Sequence, residues 1–183
     1  ILTGPGTTGT LTGLFAYSND NVIKNLDLRS FPTAIEILGA RTIVQGCLIG
    51  LNGACRTGIV EGGGIYSVIG GTSPEERNVI SNNNIGIAFA STGGSRVTGN
   101  WIGTTGDGLN AAPNASGIRV NGSSSIQIGG AAENERNLIS GNTYGAIDMF
   151  ESDRIRVLGN WIGLNAAGDP LGNGGSAIGL VFL

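Results

Sequence analysis

The strongest constraint on the fold of this chain is that the chain repeats itself. The pentapeptide GNWIG begins at Gly99 and again at Gly159, 60 residues later, and the two copies hold both tryptophans of the chain. NVIS at Asn78–Ser81 returns as NLIS at Asn137–Ser140 after 59 residues. A fixed interval of this kind is typical of chains whose repeats stack on one another and bury a continuous core.

A shorter interval lies inside the longer one. Segments of the form small–apolar–x–apolar recur every 21 to 31 residues, beginning at Gly13, Ala34, Gly58, Gly86, Gly117, Ala146 and Ala177. Two further short patterns follow in each interval, such as RVTG and NWIG. Alternation with period two indicates strands and not helices. We therefore predict an all-β fold, a parallel β-helix of about six coils with three short strands each, in a single domain covering 1–183.

Stacked coils would align equivalent residues into inward columns. The first column would hold Leu14, Ile35, Ile59, Ile87, Ile118, Ile147 and Ile178. The second would hold Val22, Val44, Ile69, Val97, Ile128 and Val157, and the third Ile49, Ile80, Ile102, Ile139 and Ile162. Aliphatic side chains stacked in this way fill a narrow interior at native density. The first coil fits worst, because its register would point Asp27 inward, so we expect a local shift there.

A polar column is predicted beside the third one. It would run through Asn25, Cys47, Asn78, Asn100, Asn137 and Asn160. Asparagine tolerates the left-handed backbone of a sharp bend, and its amide can bond to the same amide one coil away. We therefore expect an asparagine ladder with a structural role. Cys47 would be a buried thiol in this ladder, with a disulfide to Cys55 as the alternative.

The composition argues against several classes of function. The net charge of −3 differs from the basic charge of a nucleic-acid-binding domain, and no apolar run approaches the roughly 20 residues that span a bilayer. The chain has no histidine, which removes the commonest general base and a major transition-metal ligand. We therefore expect neither nucleic-acid binding nor membrane insertion, and no enzymatic activity.

The motifs IGG…ERNVIS, GNWIG and GIRV resemble those of the right-handed parallel β-helix proteins of the pectate-lyase-like superfamily. They are most similar to a subgroup of large bacterial surface or secreted proteins whose repeats read roughly IGG…RNVISGN…GNYIGT. The resemblance covers the chain from about Gly13 to its end. It implies a right-handed helix, an extracellular or cell-surface location, and a structural or adhesive role. We also expect this chain to be a segment of a longer solenoid.

Two pairs of loops interrupt the repeat and are candidate sites. Thr72–Arg77 matches Ala131–Arg136, and these loops place Glu75, Glu76 and Arg77 beside Glu133, Glu135 and Arg136. These side chains could bind a cation or a sugar, or they could anchor the loop in a surface network of Glu and Arg side chains. The longer loops Thr104–Ser116 and Leu164–Ser176 supply Asp107 and Asp169. Calcium requires about 6–8 oxygen ligands and usually several carboxylates. We therefore expect no cofactor, with calcium at these two aspartates as the alternative.

The two tryptophans are the remaining candidates. If Asn100 and Ile102 point inward, Trp101 points outward, and Trp161 does the same two coils away, at about 9.6 Å. Two outward indoles could form a sugar-stacking platform or a protein-contact face. In the alternative, the inserted loops fold over the indoles and bury them.

These observations predict a non-catalytic structural or adhesive β-helix. Its expected partners are a polysaccharide or other surface proteins, with head-to-tail self-association through the open coil edges. The alternative is a polysaccharide lyase or epimerase of the same superfamily. Such an enzyme needs an acidic cluster, and the nearest approach in the sequence is Asp20 and Asp27 around Lys24.

Overall fold

A computed structural model describes residues 1–181. Twenty short strands follow one another in these residues: β1 (Leu2–Thr3), β2 (Thr12–Ala16), β3 (Val22–Lys24), β4 (Asp27–Arg29), β5 (Thr33–Ile37), β6 (Ile43–Gln45), β7 (Leu48–Ile49), β8 (Thr57–Glu61), β9 (Val68–Gly70), β10 (Val79–Ile80), β11 (Ile85–Ala90), β12 (Arg96–Thr98), β13 (Trp101–Ile102), β14 (Ser116–Asn121), β15 (Gln127–Gly129), β16 (Leu138–Ile139), β17 (Gly145–Phe150), β18 (Arg156–Leu158), β19 (Trp161–Ile162) and β20 (Ile178–Val181). Two 3₁₀ turns cover Pro74–Glu76 and Glu133–Glu135. Neither turn is long or apolar enough to cross a membrane.

Every third strand pairs in parallel with the next, which produces three sheets. Sheet 1 has the order β1-β4-β7-β10-β13-β16-β19, sheet 2 the order β2-β5-β8-β11-β14-β17-β20, and sheet 3 the order β3-β6-β9-β12-β15-β18. Each turn of the chain therefore adds one strand to each sheet. The fold is the predicted parallel β-helix of about six turns.

The predicted inward columns are present. In sheet 2, Leu14, Ile35, Ile59, Ile87, Ile118, Ile147 and Ile178 are aligned partners in successive strands. In sheet 1, Ile49, Ile80, Ile102, Ile139 and Ile162 are aligned in the same way. The inner members of both columns are fully buried, so the core is a continuous aliphatic axis along the solenoid.

The first coil differs from the prediction in one column. Val22 pairs with Ile43 and is exposed, and Ile23 takes the predicted place opposite Val44. Asp27 pairs with Leu48 and bonds to the Arg29 guanidinium, while Leu28 is fully buried opposite Ile49. The expected local shift is therefore confirmed, and it keeps the Asp27 carboxylate out of the core, where an uncompensated charge would be costly.

The asparagine ladder is confirmed for four of its predicted members. The Nδ2 of Asn78 donates to Oδ1 of Asn100 at 2.9 Å, Asn100 to Asn137 at 3.0 Å, and Asn137 to Asn160 at 2.8 Å. Each Oδ1 also accepts the backbone N–H of the preceding asparagine in the ladder. The ladder therefore satisfies buried polar groups at one corner of the solenoid.

Asn25 does not belong to the ladder. The register of β3 and β6 aligns it with Gly46, and its side chain is exposed. Leu26 holds the equivalent position in the first coil. Asn25 instead adopts a left-handed backbone with a φ of 57°, a conformation that asparagine tolerates better than most residues.

A second amide ladder runs along another corner and was not predicted. It links Asn83 to Asn114 at 3.0 Å, Asn114 to Asn142 at 3.0 Å, and Asn142 to Asn173 at 2.9 Å. The sequence signal was an asparagine three residues after Ile80 and again after Ile139. The inserted loops place the other two members at unequal distances along the chain, which hides the column.

The two cysteines occupy the first positions of the two ladders. The backbone N–H of Cys47 donates to Oδ1 of Asn78 at 2.9 Å, and that of Cys55 donates to Oδ1 of Asn83 at 3.1 Å. Both residues are buried free thiols, so the disulfide alternative is not formed. Burial raises the pKa of each thiol, which keeps both in the less reactive protonated form.

Candidate ligand-binding groove

The two tryptophans lie on the outer face of sheet 1. Trp101 pairs with Val79 on one side and Leu138 on the other, and Leu138 pairs with Trp161. Because Ile102 and Ile162 belong to the inward column, period-two alternation turns both indoles outward. The predicted outward stripe is therefore present, with one leucine between the two indoles.

An arginine covers each indole. The guanidinium carbon of Arg77 lies 4.1 Å from the centre of the Trp101 ring, and that of Arg136 lies 4.8 Å from the centre of the Trp161 ring. Guanidinium groups at this range attract the ring by cation–π interaction. The structure thus brings together the four residues that the sequence singled out as a sugar or protein face.

The shorter repeat loops position these arginines. In the first loop, Glu76 Oε2 accepts the backbone N–H groups of Thr72 and Ser73 at 2.8 and 3.2 Å. In the second, Glu135 Oε2 accepts the N–H of Ala132 at 3.2 Å. Each glutamate closes a 3₁₀ turn that ends immediately before an arginine. The conserved spacing between the two copies therefore places both guanidiniums over the same kind of ring.

The longer loops cover part of the stripe. The backbone N–H of Ala166 donates to the carbonyl of Gly108 at 3.0 Å, which joins the two loops. Gly108 packs so closely on Trp101 that a Cβ there would lie 3.1 Å from the ring, and its φ of +71° favours glycine. Leu138 is buried beneath this cover, whereas both indoles stay half-buried. The stripe is therefore partly covered: the loops bury Leu138 but leave part of each indole exposed to solvent.

A surface groove of about 220 Å³ remains between the loops. Its walls include both indoles and both guanidiniums, together with Glu133, Leu138 and Ala166. This volume is below the range of about 300–1,000 Å³ for sites that hold a drug-sized ligand. The groove therefore has room for one sugar ring or one side chain of a partner.

The two arginines of the groove differ in their hydrogen bonding. Arg136 donates from Nε to the carbonyl of Gly159 at 2.9 Å and lies 3.7 Å from the Glu133 carboxylate. Nε of Arg77 is buried without a partner among the described residues. Burial lowers the pKa of Arg77, although Glu75 opposes the shift. Arg77 lines the groove and forms no ion pair within residues 1–181, whereas Arg136 is held by the Gly159 carbonyl and the Glu133 carboxylate.

The two aspartates suggested for calcium lie in the longer loops. Asp107 Oδ1 accepts the hydroxyl of Thr105 and the N–H of Leu109 at 3.0 Å, so it stabilises its own turn, and the Thr105 hydrogen bond lowers the pKa of Asp107. Asp169 takes part in its loop through its backbone, with Asn165 as the partner. Across residues 1–181, no group of three or more Asp, Glu, His or Cys side chains is arranged to hold a metal ion.

The two acids near Lys24 each bond to an arginine. Asp20 pairs with Arg41 at 2.6 Å, and the guanidinium of Arg41 lowers the pKa of Asp20. Asp27 pairs with Arg29, which lowers its pKa in the same way. Both carboxylates are therefore bound within ion pairs rather than directed together at one substrate position.

One buried acid was missed by the sequence reasoning. Glu61 ends the GIVE segment and is fully buried inside the solenoid. The signal was its position, because period-two alternation from the inward Ile59 also turns residue 61 inward.

No protein-family model matches this chain, and comparisons with curated proteins and with solved structures give no significant match. We therefore infer its function from the geometry of the described residues.

Proposed function

We propose that this chain is a rigid structural segment of a secreted or cell-surface protein, related to the right-handed β-helices of the pectate-lyase-like superfamily. The observation that supports this proposal is the single register kept by three sheets over about six turns. Two amide ladders tie the turns together at the corners. Because each turn contacts only its neighbours and adds about 4.8 Å of height, such a chain acts as a spacer of defined length.

The ends of the described solenoid suggest adhesion between copies. The first coil exposes apolar side chains at Leu2, Leu11 and Phe15, and the last strand exposes Ile178, Leu180 and Val181. Edge strands with unpaired backbone groups are templates for pairing with another chain. Head-to-tail stacking would align one such edge with the other.

When residues 1–183 are prepared as a separate polypeptide, we expect it to self-associate through these edges, and Leu180→Lys to prevent this association. Leu180 pairs with Met149 and continues an inward column, so a lysine there would place a charge in the stacked interface. Sedimentation velocity should show a mass that rises with concentration for the wild type and a constant mass for the variant. Tyr144→Lys is the matched control, because Tyr144 is also exposed but lies outside the last strand. A wild type that stays monomeric at every concentration would refute self-association.

The groove supports a second function, binding of an acidic polysaccharide. The parts of the two half-buried indoles that their arginines leave uncovered give the groove an apolar wall for a sugar ring, and guanidinium donors suit a carboxylate or sulfate group on it. The Arg77 guanidinium, which lines the groove without an ion pair among residues 1–181, is the specific feature that favours an anionic ligand.

We expect Trp101→Ala to weaken glycan binding by about five- to thirtyfold, because losing one aromatic contact with the ligand costs about 1–2 kcal/mol. A glycan array followed by titration calorimetry on the strongest acidic ligand provides the measurement. Arg77→Gln keeps the indole and should weaken only charged glycans. Tyr144→Ala removes an exposed aromatic residue outside the groove and should change nothing. Equal affinity of the wild type and Trp101→Ala for the glycan would show that the groove is not the binding site.

A further inference from the structure

Glu61 places a carboxyl group inside the apolar core. It belongs to an inward column in sheet 2, where the aligned residues in neighbouring turns are Ile37 and Phe89. The side chain of Glu61 is fully buried. A position filled by an aliphatic or aromatic group in adjacent turns is thus occupied by an ionisable one.

One oxygen of this carboxyl is bound by hydroxyl groups. Oε1 accepts the Ser95 hydroxyl at 2.7 Å, and the Thr92 hydroxyl, whose proton is shared with the Gly64 carbonyl, lies 3.2 Å away. The other oxygen, Oε2, is buried and has no hydrogen-bond partner in the described part of the chain. A buried polar atom without a partner is uncommon in folded proteins and requires an explanation.

Two more hydroxyls with the same property lie beside it. Thr42, Ser67 and Ser95 hold equivalent places before three successive strands of sheet 3, and all are fully buried. The hydroxyls of Thr42 and Ser67 form no hydrogen bond of normal geometry among residues 1–181, although the Ser67 hydroxyl lies close enough to the Glu61 carboxyl to affect its pKa. The core therefore contains a polar cluster in its middle turns, made of Glu61 with the hydroxyls of Ser67, Thr92 and Ser95, and Thr42 lies in the turn next to Ser67.

No charge in the described structure compensates this carboxyl. Glu61 forms no ion pair with a lysine or arginine of residues 1–181. The side chains that are aligned with it or hydrogen-bonded to it are Ile37 and Phe89 in sheet 2, Ser67 and Ser95 at the edge of sheet 3, and Thr92 at the corner, and none of them titrates near neutral pH. An isolated buried carboxylate is strongly disfavoured, and such a group normally takes up a proton instead.

We propose that Glu61 is a neutral carboxylic acid in the folded solenoid and that its ionisation loosens the turns built on β5, β8 and β11. The neutral form supplies an O–H donor at Oε2, for which the Ser67 hydroxyl is an acceptor. Thr92 lines a surface depression with Ile65, Tyr66 and Gly93, so one hydroxyl of the cluster borders the surface.

The direction of the pH effect follows from burial. Desolvation raises the pKa of Glu61 above its ordinary value of 4.5, although the hydroxyls of Ser95, Thr92 and Ser67 oppose the shift. The folded chain therefore binds this proton more tightly than the unfolded chain does. The stability that the Glu61 proton contributes is therefore fully present at a pH below the ordinary pKa. It is lost as the pH rises through the raised pKa of the folded chain.

Glu61→Gln tests this proposal, because glutamine has nearly the same shape and stays neutral at every pH. Near pH 4 the variant and the wild type should unfold within about 1 °C of each other, and near pH 8 the variant should unfold at least about 3 °C higher. Glu36→Gln is the matched control, since Glu36 is an outward glutamate on the adjacent strand. This variant should show no pH-dependent difference in unfolding temperature from the wild type. If the unfolding temperatures of Glu61→Gln and the wild type differ by the same amount at both pH values, the proposal is overturned.

Two further measurements test the same claim without a stability difference. The side-chain carboxyl carbon of Glu61, followed by ¹³C NMR in the wild type, should titrate at higher pH than the other glutamates. Amide hydrogen exchange should accelerate with pH in β8 beyond its intrinsic rate, whereas β17, in a distant turn, should not follow. Titration of Glu61 together with the other glutamates would overturn the proposal. So would a Tm at pH 8 that Na⁺ or K⁺ raises over tetramethylammonium in the wild type alone, because a bound cation would then replace the proton.

Discussion

Asn100→Ala is expected to lower the free energy of unfolding by about 3–5 kcal/mol, because each buried polar group left unsatisfied costs about 1–3 kcal/mol. The Asn100 amide donates to Asn137 Oδ1, to the Ile69 carbonyl at 2.9 Å and to the Thr98 carbonyl at 3.0 Å. Its Oδ1 accepts both the backbone N–H and the side-chain N–H of Asn78. Alanine would leave the Asn78 N–H without an acceptor in the middle of the ladder.

Urea unfolding followed by circular dichroism measures this loss. Asn110→Ala is the matched control, because Asn110 is exposed in a loop and its side chain forms no hydrogen bond within the described residues, so its cost should stay below about 0.5 kcal/mol. Asn160→Ala should fall between the two, since Asn160 is half-buried at the last rung of the ladder. Equal stability of the Asn100 and Asn110 variants would show that the ladder does not stabilise the solenoid.

Ile118→Ala is expected to cost about 2–5 kcal/mol, the range for removing a large aliphatic side chain from a packed core. Ile118 is fully buried in the sheet 2 column, with Ile87 below it and Ile147 above it. Because both neighbours belong to the same column and are also fully buried, the strands cannot collapse into the space without disturbing the register of adjacent turns. The cavity would therefore persist.

Ile178→Ala is the comparison for this variant. Ile178 continues the same column in the last described strand but is 42% exposed, so its truncation should cost less than about 1 kcal/mol. Thermal and urea unfolding of both variants give the difference. A cost for Ile178→Ala as large as that for Ile118→Ala would mean that the two ends of the column are equally packed, against the exposure of the last strand.

The repeat made most of this fold predictable. Strand alternation identified the inward isoleucines, and the 59- and 60-residue offsets placed Asn78, Asn100, Asn137 and Asn160 in one column. Prediction failed where the repeat is weakest. The first coil has no copy of the NVIS or GNWIG motif, so the spacing alone could not show that Leu26 and not Asn25 holds the ladder position.

The candidate groove was predictable in part. Alternation in the sequence predicted that Trp101 and Trp161 point outward, and the two matching loops indicated Arg77 and Arg136 as candidate site residues. That each guanidinium lies over an indole depends on how the 3₁₀ turns fold back on sheet 1. Glutamates in those loops were equally available partners for the arginines, and the sequence offered no means of choosing between the two.

The sequence by itself determined the architecture, because period-two alternation and a recurring interval leave stacked parallel strands as the arrangement that buries every aliphatic column. Only the tertiary structure decided which residues contact each other between turns. These contacts form the second amide ladder, the loop cover over Leu138, and the hydroxyl cluster around Glu61. These contacts join residues about 28 to 58 positions apart through loops of unequal length. Equal spacing along the chain therefore cannot reveal them, whereas the fixed separation of neighbouring turns brings them together.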